Sequence, residues 1–239
     1  MTFLTAELGT NWRGDPEVLK RMVTKCHWAG VDAVKFQALS IELINRHPEW
    51  DWYHHASITV DNIDTIDKIC KEIGMEWFCT PCYPEAVVWL DMYVKRWKIR
   101  HADNTKSSIL EKCIATKKEI IVSVSRENAV IGQSPYVKQV YCIPKYPTTL
   151  GELNFDMLKI LKGYSNHCLD VTALYMAYRY NLDYLEFHLT DSSDSFAIDN
   201  KVSLTYPQME EFCKWRDFYD DFDGAAIAAY NDNKIPFSI

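Results

Sequence analysis

At 239 residues the chain is long enough to bury one large core, and 48% hydrophobic with 13% aromatic residues excludes a disordered polymer. A net charge of −7 leaves no basic footprint for nucleic acid, so anionic ligands must be drawn in by local cations. No apolar run approaches the roughly 18 residues that span a bilayer, and the first residues carry neither a basic n-region nor a cleavage site; a cytoplasmic protein without membrane partners is expected.

Strand-like and helix-like segments alternate along nearly the whole chain. Phe3 to Leu8 reads as a first strand, followed by a loop over Gly9 to Gly14. Asp15-Pro16 then caps and starts a helix, with proline at its favoured first position. Val18, Leu19, Met22, Val23 and Cys26 form the apolar stripe of that helix, and Gly30 stops it. Asp32 to Gln37 is the second strand. Ala38 to Thr59 is long for a strand–helix connection and carries Trp50, Trp52, Tyr53, His47, His54 and His55. It reads equally as a lid over the carboxyl end of a barrel or as a surface excursion that buries its own aromatics. A helix over Val60 to Ile73 follows, with Ile63, Ile66, Ile69, Cys70 and Ile73 on one face and Gly74 as its stop.

Six more strands fit Glu76 to Pro81, Trp97 to Ala102, Glu119 to Ser125, Gln139 to Ile143, Gly163 to His167 and Tyr184 to Thr190. Helices fit Glu85 to Val94, Ser107 to Thr116, Phe155 to Leu161, Thr172 to Asn181 and Pro207 to Phe222. Between Ser125 and Gln139 the chain is too short and broken for a helix. Eight strands in this alternation predict an α/β fold, a (β/α)8 barrel over residues 1–222 with helix five reduced or missing, followed by a tail over 223–239.

The eight cysteines are spread through apolar periodic segments, which favours reduced core thiols. Cys79-Thr80-Pro81-Cys82 also has the spacing of a redox motif, so a thiol–disulfide enzyme is a competing reading. Stronger is the pair of strands that stop on histidines. A helix between them would set His167 beside His188 on one face of a parallel fold, close enough to share a metal, with Ser165, Glu186 and Asp191 around them. Polar residues also end the other strands: Glu7, Lys35 with Gln37, Thr80, Lys98 and Ser123. A barrel interior favours branched apolar residues, so these need a reason. Two lysines with the hydroxyls of Thr80, Ser123 and Ser165 would hold phosphate and carboxylate beside a Lewis-acid metal.

The segments Ala6-Glu7-Leu8-Gly9-Thr10-Asn11, Val34-Lys35-Phe36-Gln37, Thr80-Pro81, Trp97-Lys98-Ile99, Ile121-Val122-Ser123, Tyr146-Pro147-Thr148, Gly163-Tyr164-Ser165-Asn166-His167 and Glu186-Phe187-His188-Leu189-Thr190 come in an order that resembles the sialic acid synthase family. The resemblance covers roughly residues 3 to 215. It implies a barrel that condenses phosphoenolpyruvate with an N-acetylated amino sugar, using a divalent metal, usually manganese, with magnesium or cobalt as alternatives. It further implies that Lys35, Thr80, Lys98, Ser123 and Ser165 hold phosphoenolpyruvate and that His167 and His188 bind the metal. Glu7, Gln37, Tyr146 and Asp199 would face the sugar, with Glu7 also positioning a water. A homodimer is compatible with the resemblance.

The chain departs from the family pattern at named positions. His101 stands where a serine is usual, Pro144 where an asparagine precedes Tyr-Pro-Thr, Trp12 where the first loop has a histidine, and Asn166 where an aspartate precedes the metal histidine. The family's C-terminal antifreeze-like domain is expected to be missing. The phosphoenolpyruvate and metal half thus reads as intact and the acceptor half as altered, and a degenerate barrel that binds a ligand or partner without turnover is the alternative.

Overall fold

Eight strands pair in parallel, each with its neighbour in chain order: β1 (Phe3–Gly9), β2 (Ala33–Ala38), β3 (Glu76–Pro81), β4 (Arg96–Ile99), β5 (Glu119–Val124), β6 (Val137–Cys142), β7 (Gly163–Ser165) and β8 (Tyr184–Leu189). β1 also pairs with β8, from Phe3 opposite Tyr184 to Glu7 opposite His188, and this closes the barrel. A short β9 (Ser203–Leu204) extends β8 at its carboxyl end. The helices are α1 (Pro16–Trp28), α2 (Ile41–Asn45), α3 (Trp50–Ala56), α4 (Ile63–Ile73), α5 (Pro84–Leu90), α6 (Ser107–Ala115), α7 (Phe155–Leu161), α8 (Thr172–Tyr178) and α9 (Tyr206–Asn231). The computed structural model describes residues 2–128, 134–191 and 199–231, with 223–231 as backbone only.

Local chemistry explains the elements that matter most. The Asp15 carboxylate accepts from the backbone N–H groups of Glu17 and Val18, satisfying two of the free donors at the start of α1. The stripe Val18, Leu19, Met22, Val23 and Cys26 is buried. In α4 the buried face is Ile63, Ile66, Ile69 and Cys70, with Ile73 packed against the core, and Gly74 ends the helix in the left-handed conformation.

Several boundaries shift for identifiable reasons. α4 begins at Ile63, not Val60, because the Asn62 side chain closes a turn by accepting from Thr59 N and donating to Ser57 O. β4 stops at Ile99, not Ala102, because a 3-10 turn over His101–Asp103 follows, in which buried Asp103 pairs with Arg100 and Lys106. α5 and α8 are shorter than their periodicity suggests, and α9 runs past Phe222 to Asn231. Among the described residues no helix joins β5 to β6; Asn128 instead folds back on Ser125. Residues 129–133 of that connection lie outside the description.

The long excursion over Ala38 to Thr59 contains α2 and α3; Trp52 and Tyr53 are partly buried, whereas Trp50, His54 and His55 are exposed. Trp12 donates to Ala56 O and Trp52 to Thr10 O, so indole N–H groups pin α3 to the loop after β1. Leu39, Ile44 and Cys82 form a small core of their own, and the same segment walls the mouth of the barrel. No helix of the described residues is long and apolar enough to cross a membrane.

Gly163 opens the strand that carries Ser165, and a Cβ there would stand 2.5 Å from Val140 Cγ1. Valine is stiff and Val140 is buried, so the clash cannot be relieved at the tip of a flexible chain. Gly163→Ala is expected to cost about 1–3 kcal/mol in urea unfolding. The same change made in a Val140→Ala background should cost clearly less; an equal cost in both would show that Val140 is not the obstacle.

Candidate active site

Parallel registration brings charge together. Glu7 pairs with Lys35 of β2 on one side and His188 of β8 on the other, while Ser165 of β7 pairs with Glu186 of β8. Their side chains meet inside the barrel's carboxyl end, where Glu7, Lys35, Lys98 and Glu186 are all almost fully buried. Lys35 forms an ion pair with Glu7, approaches Glu186 Oε1 at 3.5 Å and donates to Thr80 Oγ1 at 3.3 Å. Lys98 donates to Glu186 Oε1 at 3.1 Å, and Ser165 donates to the same oxygen at 2.8 Å. The Tyr184 hydroxyl donates to Glu186 Oε2.

The two carboxylates sit in different fields. Burial opposes ionisation of Glu186, but Lys35 and Lys98 outweigh it and lower its pKa. For Glu7 burial wins over the pull of Lys35, with Glu186 adding to it, and the pKa rises. Burial depresses Lys98 in spite of Glu186, whereas Glu186 and Glu7 together overcome burial at Lys35 and raise it. Glu7 Oε1 is buried with no hydrogen-bond donor among the described residues. Gly9 leaves room beside it: a Cβ there would lie 2.9 Å from Glu7 Oε1, 3.3 Å from Asp199 Oδ2 and 3.4 Å from Gln37 Nε2.

His167 and His188 converge, with ring centroids 5.5 Å apart. His167 Nδ1 lies 2.8 Å from the carbonyl oxygen of Ile143, which can only accept, so this nitrogen carries the proton. The lone pair is then on Nε2, where the Tyr146 hydroxyl donates at 2.8 Å. Burial, and then His188, pushes His167 down to about 3, which keeps the ring neutral. His188 Nδ1 faces Asp199 Oδ2 at 3.4 Å, an electrostatic contact without hydrogen-bond geometry. Burial acts against the charged form of His188, but Asp199, Glu7 and Glu186 prevail and raise its pKa. Imidazoles with Nδ1 turned to a carbonyl or a carboxylate are the usual form of metal ligands, and a cation on His167 Nε2 would take the place of the Tyr146 hydroxyl there. The pair fits a divalent cation bound by two imidazoles with its other positions open. No group of three or more His, Cys, Asp or Glu side chains with metal-binding geometry occurs among the described residues.

These groups line one cavity of about 410 Å³. Glu7, Lys35, Gln37, Thr80, Lys98, Ser123, Tyr146, Ser165, His167, His188 and Asp199 all reach it. Asp191 does not belong with them: it pairs with Arg21 at 2.6 Å and accepts from Tyr206, so its expected place beside the histidines is corrected. Of the departures, Trp12 and Asn166 are structural. Trp12 braces α3, and Asn166 is a buried clasp that donates to Cys168 O while accepting from Cys168 N and Tyr164. Pro144 and His101 line the cavity. Arg100, His47 and Tyr53 line it as well and were not among the sequence candidates; the alternation that turns Lys98 inward also turns Arg100 inward, which is the signal for it.

The NeuB family model matches residues 22–219. An uncharacterized protein of Methanocaldococcus jannaschii is 27% identical over 230 residues, spanning 88% of this chain and 68% of that protein. The N,N'-diacetyllegionaminic acid synthase of Legionella pneumophila is 21% identical over 272 residues, spanning 98% of this chain and 76% of its own length. In shape, the chain is similar to the N-acetylneuraminic acid (sialic acid) synthetase of Leptospira borgpetersenii, with a TM-score of 0.81 and 19% identity over 93% of this chain and 85% of that one. That likeness shows a shared fold.

The Cys-x-x-Cys pair has the wrong electrostatics for thiol exchange. Both thiols are free and buried; burial raises Cys79 well above the ordinary thiol range and Cys82 up to about 11. At neutral pH both remain protonated and unreactive. Iodoacetamide at pH 7 should label neither in the native protein within the time that labels both in urea, as read by mass spectrometry. Rapid native labelling of either would restore the redox reading.

Proposed function

The chain belongs to the NeuB family, and from that membership we propose that it is a synthase that condenses phosphoenolpyruvate with an aldehyde sugar of the N-acetylmannosamine type, in a metal-dependent reaction that gives a sialic-acid-like 2-keto acid and phosphate. The observation that carries this reading is the pair of buried ammonium groups, Lys35 and Lys98, in one cavity with two convergent imidazoles. The similarity to the N,N'-diacetyllegionaminic acid synthase of Legionella pneumophila supports it. The eleven residues that the family resemblance assigns to substrate and metal all line the cavity, which favours this reading over a degenerate barrel.

Phosphoenolpyruvate carries a carboxylate and a phosphate. Lys35 and Lys98 offer fixed positive charge for these groups, and Thr80, Ser123 and Ser165 offer hydroxyl donors beside them. A divalent metal held by His167 and His188, manganese in the first instance, would polarise the aldehyde oxygen when bound. Gln37, Tyr146 and Asp199 border the space left for the sugar. The C2=C3 electron pair of phosphoenolpyruvate forms the new bond from C3 to the aldehyde carbon, whose oxygen takes up a proton from solvent, and C2 becomes electron-deficient. Water adds at C2 and its proton passes to Glu7 Oε1, the buried acceptor that has no donor of its own. The bond from C2 to the bridging oxygen then breaks as the new C2 hydroxyl gives up its proton to the departing phosphate, leaving a ketone, and phosphate leaves with the bridging oxygen.

Phosphate release should require phosphoenolpyruvate, a divalent metal and an aldehyde together. His167→Ala and His188→Ala should each reduce it to background, and Glu7→Gln should lower kcat about 10²- to 10⁴-fold. An 18O label at the bridging position should appear in the phosphate. Turnover that survives both histidine changes would refute the metal assignment, and label retained in the keto acid would refute cleavage at the C2–O bond.

A further inference from the structure

The backbone remains extended through Arg100 after β4 ends. Arg100 therefore turns to the same face as Lys98, about 7 Å nearer the mouth. It lines the cavity, and it is held by a single contact: Nε donates to Asp103. Both Nη atoms are left without a partner among the described residues. Asp103 is itself buried, lies outside the lining, and is shared with Lys106 Nζ at 2.6 Å. One carboxylate between two cations leaves this group one positive charge in surplus.

The cavity's own carboxylates offer Arg100 nothing. Glu7 faces Lys35, Glu186 faces both lysines and Asp199 faces His188. Beside Arg100, the Nε2 atom of His101 is buried and has no partner among the described residues. Beyond Asp103 on Arg100 Nε and the exposed Glu127 near His101, the mouth thus presents two Nη atoms and a buried imidazole nitrogen without a hydrogen-bond partner among the described residues.

We propose that Arg100, aided by His101, binds an oxyanion carried by the acceptor, so that the acceptor aldehyde is a phosphorylated or carboxylated sugar. The inference rests on the condensation reading above. The two deeper lysines serve phosphoenolpyruvate there, and a third cation nearer the mouth falls to the co-substrate. A planar fork with its Nη1/Nη2 edge free matches phosphate or carboxylate geometry, which a point charge does not.

The test compares N-acetylmannosamine with its 6-phosphate as acceptors. The protein should have the higher kcat/KM with the phosphorylated sugar, and Arg100→Gln should lower the ratio of the two by about 10- to 100-fold. Arg100→Lys should fall between them, since it keeps the charge without the fork. A merely structural role for Arg100 would depress both sugars together and leave the ratio unchanged, which overturns the proposal. So would a preference for the neutral sugar, or an effect of Arg100→Gln confined to the KM for phosphoenolpyruvate. Calorimetry of 6-phosphate binding to the unaltered and Arg100→Gln proteins reads the same contact without turnover. A protein that binds the phosphosugar through Arg100 yet releases no phosphate would sink the condensation reading alone, whereas equal binding to both proteins would sink the Arg100 assignment.

Discussion

One buried carboxylate, Glu186, organises the interior. Its Oε1 lies within reach of Lys98, Ser165 and Lys35, and its Oε2 receives the Tyr184 hydroxyl. Taking an ion out of water costs several kcal/mol even after relaxation, and here two ammonium groups and two carboxylates are sealed in together. None of the four is tolerable alone. The set ties β1, β2, β4, β7 and β8 into one electrostatic unit, and it holds positive charge in place before any ligand arrives.

Within that unit the two glutamates have unlike duties. Glu186 has every oxygen occupied and a lowered pKa, the signature of a permanent counterion. Glu7 has one cation, a raised pKa and an oxygen with no donor. Environment alone makes one carboxylate a fixture and the other a free acceptor, much as paired carboxylates divide roles in other active sites. The division follows from topology. Lys98 and Ser165 point at the carboxylate of β8, and no second donor is aimed at the carboxylate of β1.

Much of this was legible beforehand because it depends on short-range pattern. The eight strands, the stripes of α1 and α4, and the polar residues at strand ends are written in periodicity, capping and turn chemistry. What resisted reading depends on distance or on competition. Lys98 and Glu186 are 88 residues apart, so the hub role of Glu186 appears only once the barrel closes. The end of β4 was missed because buried Asp103 recruits Arg100 and Lys106 into a turn that outcompetes three more strand residues. Asp191 looked like a neighbour of the histidines, but Arg21 of α1 and Tyr206 of α9 claim its carboxylate. α2 and α3 are too short to show a period, and packing alone makes them helical.

Of the two expected departures from the family pattern that line the cavity, His101 and Pro144, His101 directly follows Arg100 in the chain. Energetics explains why change is tolerated there. Replacing any member of the interior set strands its partners as unpaired buried charges, a penalty of about 3–5 kcal/mol. Arg100 is anchored locally instead, by an aspartate three residues away that a lysine three residues further also shares. A group closed within one turn can be exchanged without disturbing the charges below it. The barrel is thereby divided into a base whose members must be kept together and a rim whose members can be altered one at a time, and differences in acceptor preference between members of such a family are expected to be encoded in the rim.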